Sequence, residues 1–160
     1  MIRFKEWKEI PWNDIQLFVY DLQNKIYCHA KKNRIGLVRH CQNKLVKSME
    51  AKLLAVRSVS QDNRGKVTAG IDKIAKLNPE QRLKLARKLV LDGKASKIRR
   101  VFIPKSNGKL RSLGIPVMED RAKQMLVKIV LEPEWVARFE INSYGFRPGY
   151  STSDAKVVCS

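Results

Sequence analysis

Apolar residues recur with the period of an α-helix in four stretches of the chain, and they alternate with polar residues in one further stretch. The first stretch predicts a helix that Asn13 can cap at its N-terminus. The apolar face of this helix is formed by Ile15, Phe18, Val19, Leu22 and Ile26. Asp21 and Lys25, which are four residues apart, are expected to form an ion pair on its outer side.

A second, longer helix is predicted over residues 36–56, after the polar segment 31–34 interrupts the pattern. The buried stripe of this helix consists of Val38, Cys41, Leu45, Met49, Leu53 and Val56. Because the connection between the first two helices is short, we expect them to pack as an antiparallel pair.

The middle of the chain combines a loop with a clearly bounded third helix. Small and polar residues dominate residues 61–72, which are therefore predicted to form a loop. In the helix that follows, Asn78 is the cap, Pro79 takes the first position and Gln81 completes a capping box. Gly93 is the candidate for its C-terminal stop.

The alternating stretch predicts a β-hairpin. Its strands are residues 98–103 and Leu110–Ile115, and the turn signal Ser106-Asn107-Gly108 lies between them. The functional interpretation is a stiff ribbon that presents cations to phosphates. The alternative is an ordinary hairpin with a solvated basic tip, and the residues alone favour neither.

The length of the hairpin loop decides which side chains share a face. A three-residue loop with Gly108 in the left-handed region places Lys105 opposite Lys109 and Ile103 opposite Arg111. A two-residue loop would put Lys105 and Arg111 on opposite faces, since a one-residue slip reverses a strand. We favour three residues, because that register also gathers the apolar side chains. The shared face then comprises Val101, Ile103, Lys105, Lys109, Arg111, Leu113 and Ile115.

The C-terminal part contains the fourth helix and an aromatic segment. The helix is predicted over residues 118–131, with Pro133 at its end or just beyond it. Residues 141–151 place glycines around Tyr144, Phe146 and an arginine, a pattern that suits backbone held close to a ligand. The two aromatic rings are suited either to stacking on bases or to packing within the fold, and packing is favoured.

Charge is the feature of the composition that most restricts function. The 160 residues contain 33 Lys and Arg against 15 Asp and Glu, which gives a net charge of +18. Such an excess repels itself in a compact chain and indicates a polyanionic partner, with nucleic acid first and an anionic membrane second. The sequence has neither an apolar run long enough to span a bilayer nor a signal peptide, so we expect a cytoplasmic protein.

The three cysteines predict neither a disulfide framework nor a metal site. Cys28-His29 and His40-Cys41 form a mirror pair, but adjacent residues on a helix diverge by about 100°. Neither pair would easily supply two ligands to one zinc ion. Incidental or buried cysteines in a reducing compartment are the better interpretation.

A series of short motifs, in order along nearly the whole chain, resembles the group II intron reverse transcriptase/maturase proteins, especially the bacterial and cyanobacterial type. The upstream motifs are Lys52-Leu53-Leu54-Ala55-Val56-Arg57, Asn63, Gly65-Lys66, Thr68-Ala69-Gly70-Ile71-Asp72 and Gln81-Arg82-Leu83-Lys84-Leu85. The downstream motifs are Ile103-Pro104-Lys105, Gly108-Lys109, Arg111, Leu113-Gly114-Ile115-Pro116, Glu119-Asp120-Arg121 and Ser143-Tyr144-Gly145-Phe146-Arg147-Pro148-Gly149. Each motif is weak by itself, and the ordered set is highly specific.

The resemblance implies an α+β fold in two parts. Residues 1–96 resemble the helical N-terminal domain of the family, which helps to grip intron RNA. Residues 97–160 resemble a partial reverse transcriptase domain, with the fingers and the start of the palm. Val117 stands where the family usually has threonine, so a side-chain cap of about 1 kcal/mol is expected to be lost from the helix that follows.

The resemblance also implies roles for individual residues. Lys105 and Arg111 match residues that lie against the triphosphate of the incoming nucleotide. The residues implied for template or RNA binding are Asn63, Arg64, Lys66, Thr68, Lys109, Tyr144, Phe146 and Arg147. The basic helix faces add an N-terminal RNA face made of Lys31, Lys32, Arg39, Lys44, Lys47 and Lys52.

The resemblance bears on catalysis as well. The family polymerases hold two Mg²⁺ ions with palm aspartates, and those motifs would fall beyond Ser160. We therefore expect this polypeptide to contain no catalytic residue and no metal cofactor, and to synthesise no DNA by itself.

The leading hypothesis is an RNA-binding N-terminal portion of an intron-encoded reverse transcriptase/maturase that acts in splicing and retromobility. It would bind structured RNA, with group II intron RNA first, or complement a palm-containing reverse transcriptase polypeptide in trans. The second role predicts exposed apolar residues within 101–115 and 122–131. The alternatives are a general basic RNA-binding or ribosome-associated protein that keeps the fold, and a non-functional truncated reading frame.

Overall fold

The computed structural model describes residues 5–140, together with Ser143 and Gly149. This part of the chain forms α1 (Trp12–Lys31), α2 (Ile35–Lys47), α3 (Met49–Arg57), α4 (Pro79–Lys88), β1 (Arg99–Pro104), β2 (Leu110–Ile115) and α5 (Met118–Arg138). The predicted α+β class, mainly helical with a hairpin and a further helix, is confirmed. Across the described ranges, no helix is both long and apolar enough to cross a membrane.

A hydrophobic core is shared by helices from both halves of the chain. Fully buried Ile26, Leu45 and Leu53 come from α1, α2 and α3, and Leu126 of α5 belongs to the same cluster. α5 packs against all three of those helices, and α4 packs against α3. The division of the chain into two domains after residue 96 stays a prediction. α5, which follows that boundary, shares one hydrophobic core with the helices that precede it.

The N-terminal helix starts earlier than the sequence suggested. α1 begins at Trp12 with Pro11 at the N-cap, so the prediction that Asn13 caps it was wrong. The carbonyl oxygen of Pro11 accepts from the backbone N–H of Ile15 at 3.2 Å, so the helical hydrogen bonding starts two residues before Asn13. The predicted pair of Asp21 and Lys25 is present, with 2.6 Å between Nζ and Oδ2.

The long second helix is divided in two, which corrects the prediction of one helix over residues 36–56. Ser48 has extended dihedral angles, φ −68° and ψ 142°, and separates α2 from α3. Its hydroxyl donates to the carbonyl of Leu45 at 2.8 Å and accepts from the N–H of Ala51 at 3.2 Å. Ser48 therefore ends one helix and caps the next, since a serine that bonds the local backbone favours a cap over a helix interior.

The third helix has the predicted N-terminus and an earlier end. Asn78 Oδ1 accepts from the N–H of Gln81 at 2.7 Å, and the Gln81 side chain returns to the N–H of Asn78 at 2.9 Å, which confirms the capping box. α4 ends at Lys88, before Gly93, because the chain turns into extended backbone at Leu89 and fully buries that side chain. Gly93, with φ +71°, lies in the connection that follows.

The last helix continues through its proline, so the prediction that it ends near Pro133 was wrong. α5 extends to Arg138. A proline inside a helix lacks the N–H that would bond the carbonyl four residues earlier, here that of Ile129. Gln23 of α1 supplies the missing donor, because its Nε2 lies 2.8 Å from the Ile129 oxygen.

The β-hairpin has the predicted register. Ile103 pairs with Arg111, and the N–H of Lys105 donates to the carbonyl of Lys109 at 2.8 Å, so the loop has three residues. Gly108 has φ +75°, as expected at its left-handed position. The apolar side chains of the ribbon nevertheless stay largely exposed, and among the strand residues only Ile115 is buried.

Candidate nucleic-acid interface

The hairpin tip is a cluster of cations held in place by the turn. The antiparallel register places Lys105, Lys109 and Arg111 on one face near the tip, and all three are exposed. The turn is closed by the N–H of Gly108, which donates to the carbonyl of Lys105 at 3.0 Å, and by Asn107 Oδ1, which accepts from the N–H of Lys109 at 3.2 Å. The backbone fixes the spacing of the cations, while their side chains stay free for an anion.

The predicted loop that carries Asn63, Arg64 and Lys66, which the resemblance implies for template or RNA binding, contains a short 3₁₀ turn, Arg64–Val67. This turn follows a π-helical turn at Ser58–Asp62. Asn63 caps it, with Oδ1 accepting from the N–H of Gly65 at 2.9 Å. The Lys66 ammonium donates back to the carbonyl of Gln61. Two of the predicted RNA contacts therefore also shape the loop, while the Arg64 side chain lies outside the described residues.

Arg121, near the start of α5, holds this loop against the helical body. Its guanidinium donates to three carbonyl oxygens: those of Pro116 at 2.9 Å, Gly65 at 2.9 Å and Thr68 at 2.6 Å. A planar guanidinium presents five donors in a fixed fork, which suits three convergent acceptors. Arg121 thus sets the position of the loop relative to α5.

Gly70 fits closely against the same helix entrance. A Cβ atom at Gly70 would lie 2.9 Å from Cα of Val117 and 3.0 Å from the carbonyl oxygen of Pro116. These distances leave no room for a side chain, so the glycine is needed for the loop to reach α5. Val117 occupies the N-cap of α5, and its side chain has no acceptor with which to cap the helix.

The N-terminal basic face lies on α1, α2, α3 and the connection between the first two helices. Five of its six predicted cations are exposed, and Lys52 is partly buried. Among the described residues, none of the six forms an ion pair. The Lys31 ammonium lies 5.7 Å from the centroid of the Tyr27 ring. The six cations are Lys31, Lys32, Arg39, Lys44, Lys47 and Lys52.

Two tryptophans and two arginines form a layer beneath the loop, which the sequence did not predict. The rings of Trp7 and Trp12 are 5.0 Å apart. Arg57 lies 4.6 Å from the centroid of Trp12, and Arg82 lies 5.9 Å from the centroid of Trp7. The indole N–H of Trp7 donates to Gln61 Oε1 at 3.0 Å, which joins this layer to the loop.

Tyr144, Phe146 and Arg147, also predicted to contact template or RNA, lie outside the described residues. Arg121 and Arg82 belong to motifs that carried the family resemblance, although their contacts were not foreseen. Long-range partners such as the carbonyls of residues 65 and 68 leave no local pattern in a sequence.

Across residues 5–140, no three or more His, Cys, Asp or Glu side chains are grouped to hold a metal ion.

Comparison with known proteins gives the class of the helical part. A family model described as the N-terminal domain of reverse transcriptase matches residues 7–89, just over half of the chain. That range includes α1 to α4, the basic face and the loop held by Arg121. The chain therefore contains the N-terminal domain of a reverse transcriptase.

Three curated relatives narrow the class. Maturase-like protein 1 of Euglena gracilis is 32% identical over 157 residues, which are 92% of this chain and 33% of the relative. The group II intron-encoded protein LtrA of Lactococcus lactis is 38% identical over 97 residues, 58% of this chain and 16% of the relative. Protein YkfC of Escherichia coli K12 is 39% identical over 103 residues, 61% of this chain and 27% of the relative.

The chain belongs to the group II intron reverse transcriptase/maturase family. It spans between 16% and 33% of the length of these curated relatives.

Proposed function

We propose that this chain binds structured RNA, with group II intron RNA as the first candidate, and that it supplies the RNA-gripping N-terminal part of a splicing and retromobility protein. The observation that carries the proposal is the N-terminal basic face, whose six cations have no carboxylate partners among the described residues. Cations that are not neutralised within the fold release counterions from phosphates when RNA binds.

Two further elements give the RNA a defined path. The loop capped by Asn63 and held by Arg121 is suited to lie over a template strand, because its backbone position is fixed by three charge-assisted hydrogen bonds. The hairpin tip is suited to the triphosphate of a nucleotide, since Lys105 and Arg111 share one face. Both assignments are proposals taken from the family resemblance together with this geometry.

A palm-containing reverse transcriptase segment, on the same or another polypeptide, is the proposed partner of the exposed apolar residues. Phe102 is 60% exposed and Leu110 is 64% exposed in the hairpin, and Trp135 is 54% exposed on α5. Val127 and Leu131 precede Trp135 at intervals of four residues, so the three align along one side of the helix. Large apolar side chains exposed in this way are typical of positions that another protein segment covers.

The experiment that tests RNA binding compares a group II intron RNA with a length-matched structured RNA over about 50 to 200 mM salt. Six to ten phosphate contacts should weaken binding of either RNA by about 10³- to 10⁵-fold over that range. A preference for the intron that persists at high salt supports intron recognition. Equal affinities that collapse together support a general basic RNA-binding protein instead, and absence of binding to both RNAs refutes the proposal.

A further inference from the structure

A cationic cavity lies between the π-helical turn, the loop and the start of α4. Its volume is about 470 Å³, and it is lined by Ser60, Gln61, Asp62, Lys66, Lys76, Leu77 and Arg82. A volume of this size is within the range of small-ligand sites. The cavity is separate from the hairpin tip, and only Lys66 among its lining residues was predicted to bind RNA.

Arg82 is a fixed cation in the wall of this cavity. Its guanidinium lies over the ring of Trp7, which is itself buried and anchored to Gln61. Its Nε atom is withdrawn from solvent and finds no hydrogen-bond acceptor in the described part of the chain. Burial also lowers the pKa of Arg82, because it disfavours the charged form. A bound anion would compensate for the solvation that Arg82 has lost.

The charges around the cavity favour an anion. Lys66 and Lys76 add two ammonium groups, and Lys76 is exposed. The one carboxylate in the lining, that of Asp62, lies 3.7 Å from Nε of Arg57, which balances its charge. The polar groups of Ser60 and Gln61 are engaged with the carbonyl of Val56 and the indole of Trp7 respectively. The cations of the cavity are therefore left without an internal counterion of their own.

We propose that this cavity is a phosphate-binding site in which Arg82 and Lys76 hold a phosphate group. Two kinds of ligand could supply this phosphate group: bound RNA, through a phosphodiester, and a free nucleotide, through its own phosphates. The RNA source rests on the proposed function, whereas the phosphate site itself does not. A guanidinium held against an aromatic ring is pre-organised for such a contact, since less side-chain freedom is lost when the anion arrives.

The first test is an NMR titration of the full chain with inorganic pyrophosphate at fixed ionic strength. We expect saturable shifts of the backbone amides of residues 60–66 and 76–82. Lys76→Gln should weaken binding by at least about fivefold, the effect of losing one charge-assisted hydrogen bond of modest strength. Arg82→Met should do the same while it keeps an apolar stem over Trp7.

The matched control is Lys84→Gln, which removes the same charge from an exposed position of the same helix, outside the cavity lining. It should bind pyrophosphate as the wild type does. If all three variants weaken binding equally, or if shifts spread over every basic surface, then the cavity has no site of its own and the proposal is wrong. Thermal unfolding of each variant confirms that it is folded.

The second test separates the two sources. If the phosphate belongs to RNA, Lys76→Gln should lower the slope of log affinity against log salt by about 0.7 to 0.9 more than Lys84→Gln does. Equal RNA slopes together with lost pyrophosphate binding support a free nucleotide as the source. If the wild type binds no RNA, the proposed function fails, and the pyrophosphate titration still decides whether the cavity is a phosphate site.

Discussion

The helical body and the β-hairpin are both strongly basic, but they are held together in different ways. In the body, side chains such as Leu45, Leu53 and Leu126 are fully buried, and cations lie on the outer faces of helices that pack on one another. In the hairpin, Phe102 and Leu110 remain mostly exposed, and the shape depends on the turn and the strand pairing. The body supplies its own core, whereas the ribbon leaves large apolar side chains exposed.

This difference separates two ways of presenting positive charge. On the body, the basic face is a broad surface whose geometry follows from helix packing. On the hairpin, Lys105 and Arg111 are few in number and are aligned by a backbone register. A broad face suits the many phosphates of a folded RNA, and an aligned pair suits a single triphosphate.

The largest expected effect comes from removing a core side chain and a hairpin side chain in parallel. Leu126→Ala should lower the free energy of unfolding by about 2–5 kcal/mol, because it leaves a cavity between α5 and the earlier helices. Leu113→Ala, at an exposed position of β2, should change it by only about 0.5 kcal/mol. Urea unfolding measures both. Similar losses in the two variants would mean that the hairpin belongs to the cooperative core.

A smaller effect is expected where the loop meets the body. Gly70→Ala should destabilise the chain by about 1–3 kcal/mol, because its Cβ would collide with the backbone of residues 116 and 117. Gly36→Ala is the matched control, since a Cβ there meets no atom within 4 Å, and it should stabilise α2 by up to about 1 kcal/mol. Hydrogen exchange at residues 65–70 should quicken in the first variant and stay unchanged in the second. Unchanged exchange in both would contradict the close fit of the loop.

The local features of the fold followed from the sequence, and those that depend on distant partners did not. The capping box of Asn78 and the three-residue turn at Gly108 were predicted because each depends only on neighbouring residues. The path of α5 through Pro133 was missed because the donor to the free carbonyl of Ile129 comes from Gln23, 106 positions before Ile129. The break at Ser48 was missed because the apolar period runs through it unchanged.

The candidate site shows the same division. The alternation of side chains along the two strands, with a three-residue loop, predicted that Lys105 and Arg111 share a face. The hydrogen bonds from Arg121 to the loop and the position of Arg82 over Trp7 need contacts across 53 to 75 residues, which periodicity cannot show. The binding roles of the site residues stay predictions, which measurements of RNA binding and nucleotide binding test.

The smallest expected effect concerns the joint between body and hairpin. Lys123 on α5 donates to Asp92 at 2.9 Å and to the carbonyl of Lys94 at 3.2 Å, in the connection that leads to β1. The hydrogen bond between Lys123 and Asp92 lowers the pKa of Asp92. The same hydrogen bond raises the pKa of Lys123. A lowered carboxyl pKa stabilises the fold above the unfolded value of about 3.9, and that contribution is lost as the pH falls through the folded value.

Acid should therefore loosen the connection as the pH falls through the lowered folded pKa of Asp92. The backbone amide of Lys94 donates to Asp92 Oδ1 at 3.1 Å, so its chemical shift, followed as the pH falls from about 7 to below the unfolded pKa of about 3.9, measures this effect. In Asp92→Asn, the part of the titration that depends on Lys123 should disappear. An identical titration in the variant and the wild type would show that the pair does not fasten the connection.

The most direct test of the central claim compares two double variants in the same chain. Lys44→Ala/Lys47→Ala removes two cations from the broad helical face, and Lys105→Ala/Arg111→Ala removes the aligned pair of the hairpin. We predict that the helical variant weakens binding of intron RNA and leaves nucleoside triphosphate binding unchanged. The hairpin variant should weaken triphosphate binding well beyond any loss of triphosphate binding in the helical variant. Equal losses for both ligands in both variants would contradict the account, because the hairpin would then contribute only generic charge.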